Sequence, residues 1–164
     1  MLIYLAASNR RYAESCAAMD RVRNAWEFQA VIRGHISMVL PSGPDVFKQK
    51  RLCLSSPDHS HSWTGEPGRD AHVVVMHFPY VPDAIMKLFP DGKGCLDIPL
   101  TPEQCRRIKF LGQQALQFWR QPKAGRLICF EHALLELSLL VIETRSLPDA
   151  QIDFNISQKR VNRA

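Results

Sequence analysis

The sequence has no apolar run near the roughly 20 residues that cross a bilayer, which excludes a membrane-spanning helix as its organising element. It does not open on a secretory leader either. Met1-Leu2-Ile3-Tyr4-Leu5 has no basic stretch ahead of it, so a cytoplasmic location is expected. Cysteine is sparse and unpatterned: the 5 residues, Cys16, Cys53, Cys95, Cys105 and Cys129, are odd in number and form no Cys-x-x-Cys pair. They read as small buried apolar residues in a reduced compartment. Cys53 and Cys129 sit in apolar runs, where a thiol is normally inert, which argues against a Cys–His nucleophilic enzyme. There is no Gly-x-Ser-x-Gly elbow, no phosphate-binding loop, no repeat and no low-complexity segment.

What is present fits one globular domain. The chain has 164 residues, 46% hydrophobic and 23% charged. A domain of about 150 residues buries roughly 70% of its unfolded surface. The formal charge of +5 is mild, and part of it lies in the closing stretch Gln158-Lys159-Arg160-Val161-Asn162-Arg163-Ala164. That stretch reads either as a solvated tail or as the first turn of an element that continues.

The hydrophobic pattern changes near residue 100. Before it, short alternating runs are separated by turn residues, which predicts strands. In the clearest, Trp26, Phe28, Ala30 and Ile32 alternate with Glu27, Gln29, Val31 and Arg33, and Gly34 ends the run. His35 to Leu40, Val46-Phe47, Leu52 to Leu54 and Ala71 to Phe78 are further strands, with Pro41-Ser42-Gly43-Pro44 as a turn. Met1 to Ala7 and Ser15 to Met19 carry weaker strand patterns. About eight short strands predict a sandwich or small barrel. After residue 100 two helices are expected. Thr101 caps the first, with Pro102 and Glu103 in its first turn and Ile108, Leu111, Ala115 and Phe118 on one stripe. The second runs from about Arg126 to Arg145, ahead of Ser146-Leu147-Pro148. It is apolar around much of its circumference, so it buries more than one side, either within one domain or against a second copy. Leu127, Phe130, Leu134, Leu135, Leu139 and Ile142 are the candidate dimer interface.

Three segments, in order, resemble the cupin-like sensor of AraC-type transcription regulators: Val31-Ile32-Arg33-Gly34 closing the Trp26 strand, Pro57-Asp58-His59-Ser60-His61-Ser62-Trp63, and Val73-Val74-Val75-Met76-His77-Phe78 followed by Val81-Pro82. The resemblance implies a mainly β fold with C-terminal α structure: a cupin-like (double-stranded β-helix) barrel, then two antiparallel helices. Residues 1–98 would form the effector barrel with an N-terminal arm, 99–147 the helical dimerisation region, and 148–164 a linker toward a helix-turn-helix domain that this chain does not contain. DNA would be read only by that missing domain, and no cofactor is expected.

In the sugar-sensing member of that family the arginine before the strand-ending glycine lies in the effector pocket, and the resemblance puts Arg33 at that position. If Arg33 points inward, strand parity turns Glu27 and Gln29 inward as well. The same reasoning places His61, Trp63 and His77 there, giving an aromatic plate and hydrogen-bonding groups suited to a small polar effector such as a sugar. Alternatively, Arg33 is a surface residue at a strand end. Two rival functions stand beside the sensor. One is a metal-dependent cupin enzyme using His59 and His61, with Glu66 and either His72 or His77. The other is a dimerisation module with a filled barrel.

Overall fold

The computed structural model describes residues 1–12, 24–40, 42–89 and 91–161, with side chains as far as residue 145. The elements follow in the order β1 (Tyr4–Arg10), β2 (Trp26–Arg33), β3 (Ile36–Leu40), β4 (Gly43–Pro44), β5 (Arg51–Ser55), β6 (Ser62–Gly65), β7 (Ala71–Phe78), α1 (Asp83–Met86), β8 (Cys95–Pro99), α2 (Pro102–Arg120) and α3 (Arg126–Val161). The strands form two antiparallel sheets: a five-stranded one in the order β1-β7-β2-β5-β8 and a three-stranded one in the order β4-β3-β6. Among the described residues neither sheet closes on itself.

Period-two alternation gives the larger sheet two unlike faces. One face carries Leu5 from β1, Phe28 and Ala30 from β2, Leu52 and Leu54 from β5, Val74 and Met76 from β7 and Ile98 from β8. All are buried in one cluster with Ile108 and Ala115 of α2 and Phe130, Leu134 and Leu137 of α3. The other face meets the smaller sheet, where Val31, Val73 and Val75 pack against Ile36, Met38 and Trp63. The expected apolar set Trp26, Phe28, Ala30 and Ile32 thus lies on the helix side, with Ile32 only half-buried.

Helix α2 begins where the sequence places it. Thr101 Oγ1 accepts from the Gln104 amide at 3.2 Å, and Gln104 Oε1 accepts from the Thr101 amide at 2.8 Å. This reciprocal cap satisfies two otherwise orphaned donors. Gly112 lets the helix lie close on the sheet: a Cβ there would sit 2.9 Å from Val74 Cγ1 and 3.2 Å from Ala7 Cβ. An Arg107–Glu136 ion pair ties α2 to α3.

Several expectations need correction. Val46 and Phe47 form no strand and are exposed, because the chain there only links β4 to β5. Gly43–Pro44, expected as turn, makes a two-residue pairing with β3. Helix α3 does not stop near Arg145 but continues through Pro148 to Val161. Proline costs such a helix one i→i−4 bond, yet its fixed φ is itself helical. Within the candidate dimer interface, Phe130 and Leu134 are buried inside this chain because they face α2 and the sheet, whereas Leu127, Leu135 and Leu139 are exposed and Ile142 is half-buried. The Ser15–Met19 run and much of the expected arm lie outside the described residues. Among the described residues, no helix is long and apolar enough to cross a membrane.

Candidate functional site

The strand registers set the inner face of the larger sheet in three rows. Tyr4, His77, Glu27, Ser55 and Cys95 form the first; Ala6, Val75, Gln29, Cys53 and Asp97 the second; Ser8, Val73, Val31, Arg51 and Pro99 the third. Met38 and Trp63, paired across β3 and β6, face these rows from the smaller sheet.

Glu27 is the hub of the first row. Its carboxylate is almost fully buried, and Trp63 Nε1 donates to Oε1 at 3.1 Å. His61 Nε2 lies 3.3 Å from the same oxygen, and His77 Nε2 lies 3.0 Å from Oε2. His61 Nδ1 is 2.9 Å from the His59 carbonyl oxygen. A carbonyl only accepts, so Nδ1 carries a proton. The contact of Nε2 with Glu27 is then favourable only with a second proton, on imidazole or carboxylate. A buried carboxylate is tolerated when its oxygens are occupied in this way. The cluster fixes the Trp63 ring, with His61 edge-on to it at 5.8 Å between centroids.

In front of Trp63 lies a pocket of ≈150 Å³ between the two sheets. Val31, Ile36, Met38, Leu40 and Trp63 supply its apolar wall, and Cys53 and Cys95 line it from β5 and β8. Asp45, Lys48, Arg51 and Asp97 form a charged border. Lys48 Nζ is 2.5 Å from Asp45 Oδ2 and 2.7 Å from Asp97 Oδ2, and Arg51 Nε is 2.7 Å from Asp97 Oδ1. Burial pushes the Asp97 carboxyl up, but hydrogen bonds and charge from Arg51 and Lys48 outweigh it and hold the group below its ordinary value. The Lys48 hydrogen bond likewise holds Asp45 down.

A pH dependence follows. Because both carboxyls are depressed in the folded state, the unfolded chain binds more protons as pH falls, so their stabilisation is present above the ordinary value of 3.8 and lost through the lower folded values. The melting temperature should therefore fall in that acid window, and Asp97→Asn should flatten the fall. Parallel acid profiles for variant and parent would show that the border does not govern this response.

Of the six residues expected at the site, Glu27, Gln29, His61, Trp63 and His77 lie on the inner side, and Trp63 is the member that lines the pocket. Glu27, His61 and His77 form the hub that holds Trp63. Gln29 is buried, with Tyr12 Oη at 3.5 Å. Arg33 does not join them. The pairing of β2 with β7 slips between Val31 and Arg33, so Arg33 stands opposite His72 instead of Ala71. One extra residue in a strand reverses side-chain parity beyond it, and Arg33 is exposed.

The alternative metal set is not assembled either. Both ring nitrogens of His61 are engaged, His77 faces Glu27, Glu66 pairs with His35 at 3.3 Å, and His72 Nδ1 is 2.9 Å from Asn9 Oδ1. Burial and the neighbouring His61 hold the His59 imidazole below its ordinary value. Among the described residues, no group of three or more His, Cys, Asp or Glu side chains is placed to hold a metal ion.

Sequence reasoning missed Lys48, Arg51, Cys95 and Asp97. The alternation Cys95-Leu96-Asp97-Ile98 was the available signal for the last two. No protein-family model matches this sequence, and no curated protein matches it significantly.

Proposed function

We propose that this chain is a ligand-binding module rather than an enzyme: the effector-sensing part of a cytoplasmic AraC-type transcription regulator, with its two sheets acting as a cupin-like barrel. The observation that carries this reading is the pocket between the sheets, backed by a tryptophan that a buried hydrogen-bond cluster holds in place. A volume of ≈150 Å³ suits about one six-membered ring. Such an effector would lay an apolar face on Trp63 and Met38 and turn its polar edge to Lys48, Arg51 and Asp97. A monosaccharide is one molecule of that kind. The order of the three sequence segments and the sheets-then-helices layout support the family. DNA would be bound by a separate helix-turn-helix domain.

The exposed apolar residues of α3 support a homodimer. Ile128, Leu135 and Leu139 are 75%, 54% and 48% exposed and follow one another at spacings that keep them on one side of the helix.

A thermal-shift screen of single-ring metabolites, sugars included, tests the binding reading. At least one compound should raise the melting temperature, and Trp63→Leu should weaken its affinity by about tenfold or more, the equivalent of ~1.4 kcal/mol. Sedimentation of the same protein should show a dimer that Leu135→Glu dissociates. A panel without a stabiliser, or a hit indifferent to Trp63→Leu, would remove the pocket assignment, and a monomer at every concentration would remove the dimer.

A further inference from the structure

The pocket in front of Trp63 is polar on one side only. Val31, Ile36, Met38 and Leu40 present hydrocarbon and a thioether to it. The side-chain donors in the rest of the wall are already spent. Trp63 Nε1 donates to Glu27 at 3.1 Å, Cys53 Sγ to Asp97 Oδ1 at 3.8 Å, and Cys95 Sγ to the Leu96 carbonyl at 3.6 Å. The side chains that a guest meets on this wall are therefore carbon and sulfur.

The polar side is the border, and there the acceptors are occupied while a donor is left over. Asp97 Oδ1 accepts from Arg51 Nε, and Asp97 Oδ2 from Lys48 Nζ, both at 2.7 Å. Asp45 Oδ1 accepts from the Val46 amide at 2.7 Å, and its Oδ2 from Lys48 Nζ. Arg51 engages Asp97 a second time, from Nη2 to the backbone carbonyl at 3.2 Å. That leaves Arg51 Nη1 without an acceptor among the described residues. A guanidinium holds its N–H donors in one plane, a geometry that matches sp² oxygens.

We propose that the effector is a single ring, apolar over most of its surface, with one oxygen-acceptor head group, a carboxylate or a ketone, that meets Arg51 Nη1. The proposal rests on the binding reading above and narrows it: rings hydroxylated all round, monosaccharides included, fall outside the class.

Size and chemistry agree. An engineered cavity of about 150 Å³ lined by apolar side chains takes benzene. This pocket measures ≈150 Å³, so a ring fills its apolar part and the head group reaches the border. A hydroxyl turned toward the wall would give up water and gain no side-chain partner, which costs more than one good hydrogen bond returns. An ammonium head would lie beside Lys48 and Arg51 and compete with them for carboxylate oxygens that already have donors.

The test titrates the isotope-labelled full chain with benzoate, acetophenone, benzylamine, a pentose and a hexose. Nuclear magnetic resonance follows the Trp63 indole N–H, identified by its loss in Trp63→Leu. Benzoate, acetophenone or both should bind with a Kd at least about tenfold below those of benzylamine and the sugars. Binding by benzoate alone would make the negative charge part of recognition; binding by both would assign recognition to the oxygen acceptor itself. Arg51→Lys keeps a cation beside Asp97 but removes the planar donor. It should weaken the better of the two ligands about tenfold, while benzene, which has no head group, binds parent and variant alike. Should Arg51→Lys fail to fold, the head-group ranking on the parent protein decides. A sugar or benzylamine that binds as tightly as benzoate and acetophenone, or affinities indifferent to Arg51→Lys, would overturn the proposal and leave the effector reading standing. If no compound in this set or in the wider screen moves the Trp63 resonance, both fall.

Discussion

Replacing Glu27 with leucine is expected to lower the unfolding free energy by about 3–5 kcal/mol, the cost of removing one side of a buried ionic or hydrogen-bonded group. The substitution strands the indole N–H of Trp63 and the imidazole nitrogens of His61 and His77 that face Glu27, all in a region that water does not reach freely. Glu27→Gln keeps an acceptor for Trp63 and should cost only about 1–2 kcal/mol. Urea denaturation of the three proteins measures both differences. A leucine variant within about 1 kcal/mol of the parent would mean that the partners find other acceptors without strain. The ordering matters as much as the size. A loss for leucine well beyond that for glutamine identifies the carboxylate as the anchor of the Trp63 wall.

Gly34→Ala should cost about 3 kcal/mol, for two separable reasons. Gly34 has φ +79°, in the left-handed region that other residues occupy at a cost of roughly 1–2 kcal/mol. Its Cβ would also lie 2.7 Å from the Asp70 carbonyl oxygen and 2.9 Å from Ala71 Cα. Both are backbone atoms at the start of β7, so neither can swing aside as a side chain can. Gly68 supplies the control. It has φ +68° but nothing within 4 Å of an added Cβ, so Gly68→Ala should show the conformational cost alone. Equal losses at the two glycines would mean that the chain at Asp70 yields without cost.

The strand faces were legible where pairing is regular. The alternation along Trp26–Arg33 places Glu27 and Gln29 inside and Phe28 and Ala30 against the helices, as the registers with β5 and β7 do. That logic failed at Arg33. A bulge is set by how two distant strands fit, and the local sequence around Val31 and Arg33 carries no mark of it. The strand Ser62–Gly65 was not among those expected, because the Pro57-Asp58 turn and the histidines before it hide so short a run. The charged border was not legible either. Lys48 and Arg51 are near neighbours in the chain, but Asp97 comes from a distant segment that the pairing of β5 with β8 brings beside them. Cys53 read as an inert thiol in an apolar run, and it is buried as a thiol, but its contact with Asp97 was not legible because β8 was not anticipated. The start of α2 was legible through its cap, whereas the extent of α3 was obscured by Pro148.

The middle strands of the larger sheet are shared property. On β2, Glu27, Gln29 and Val31 look toward the gap, while Phe28 and Ala30, each 1% exposed, sit beneath the helical layer. On β5, Arg51 and Cys53 border the gap, while Leu52 and Leu54 are wholly enclosed on the far side. Interiors this tightly filled have little slack to absorb a displacement. Any shift of the larger sheet away from the gap would therefore press on α2 and α3, which rest on the far side of the same strands.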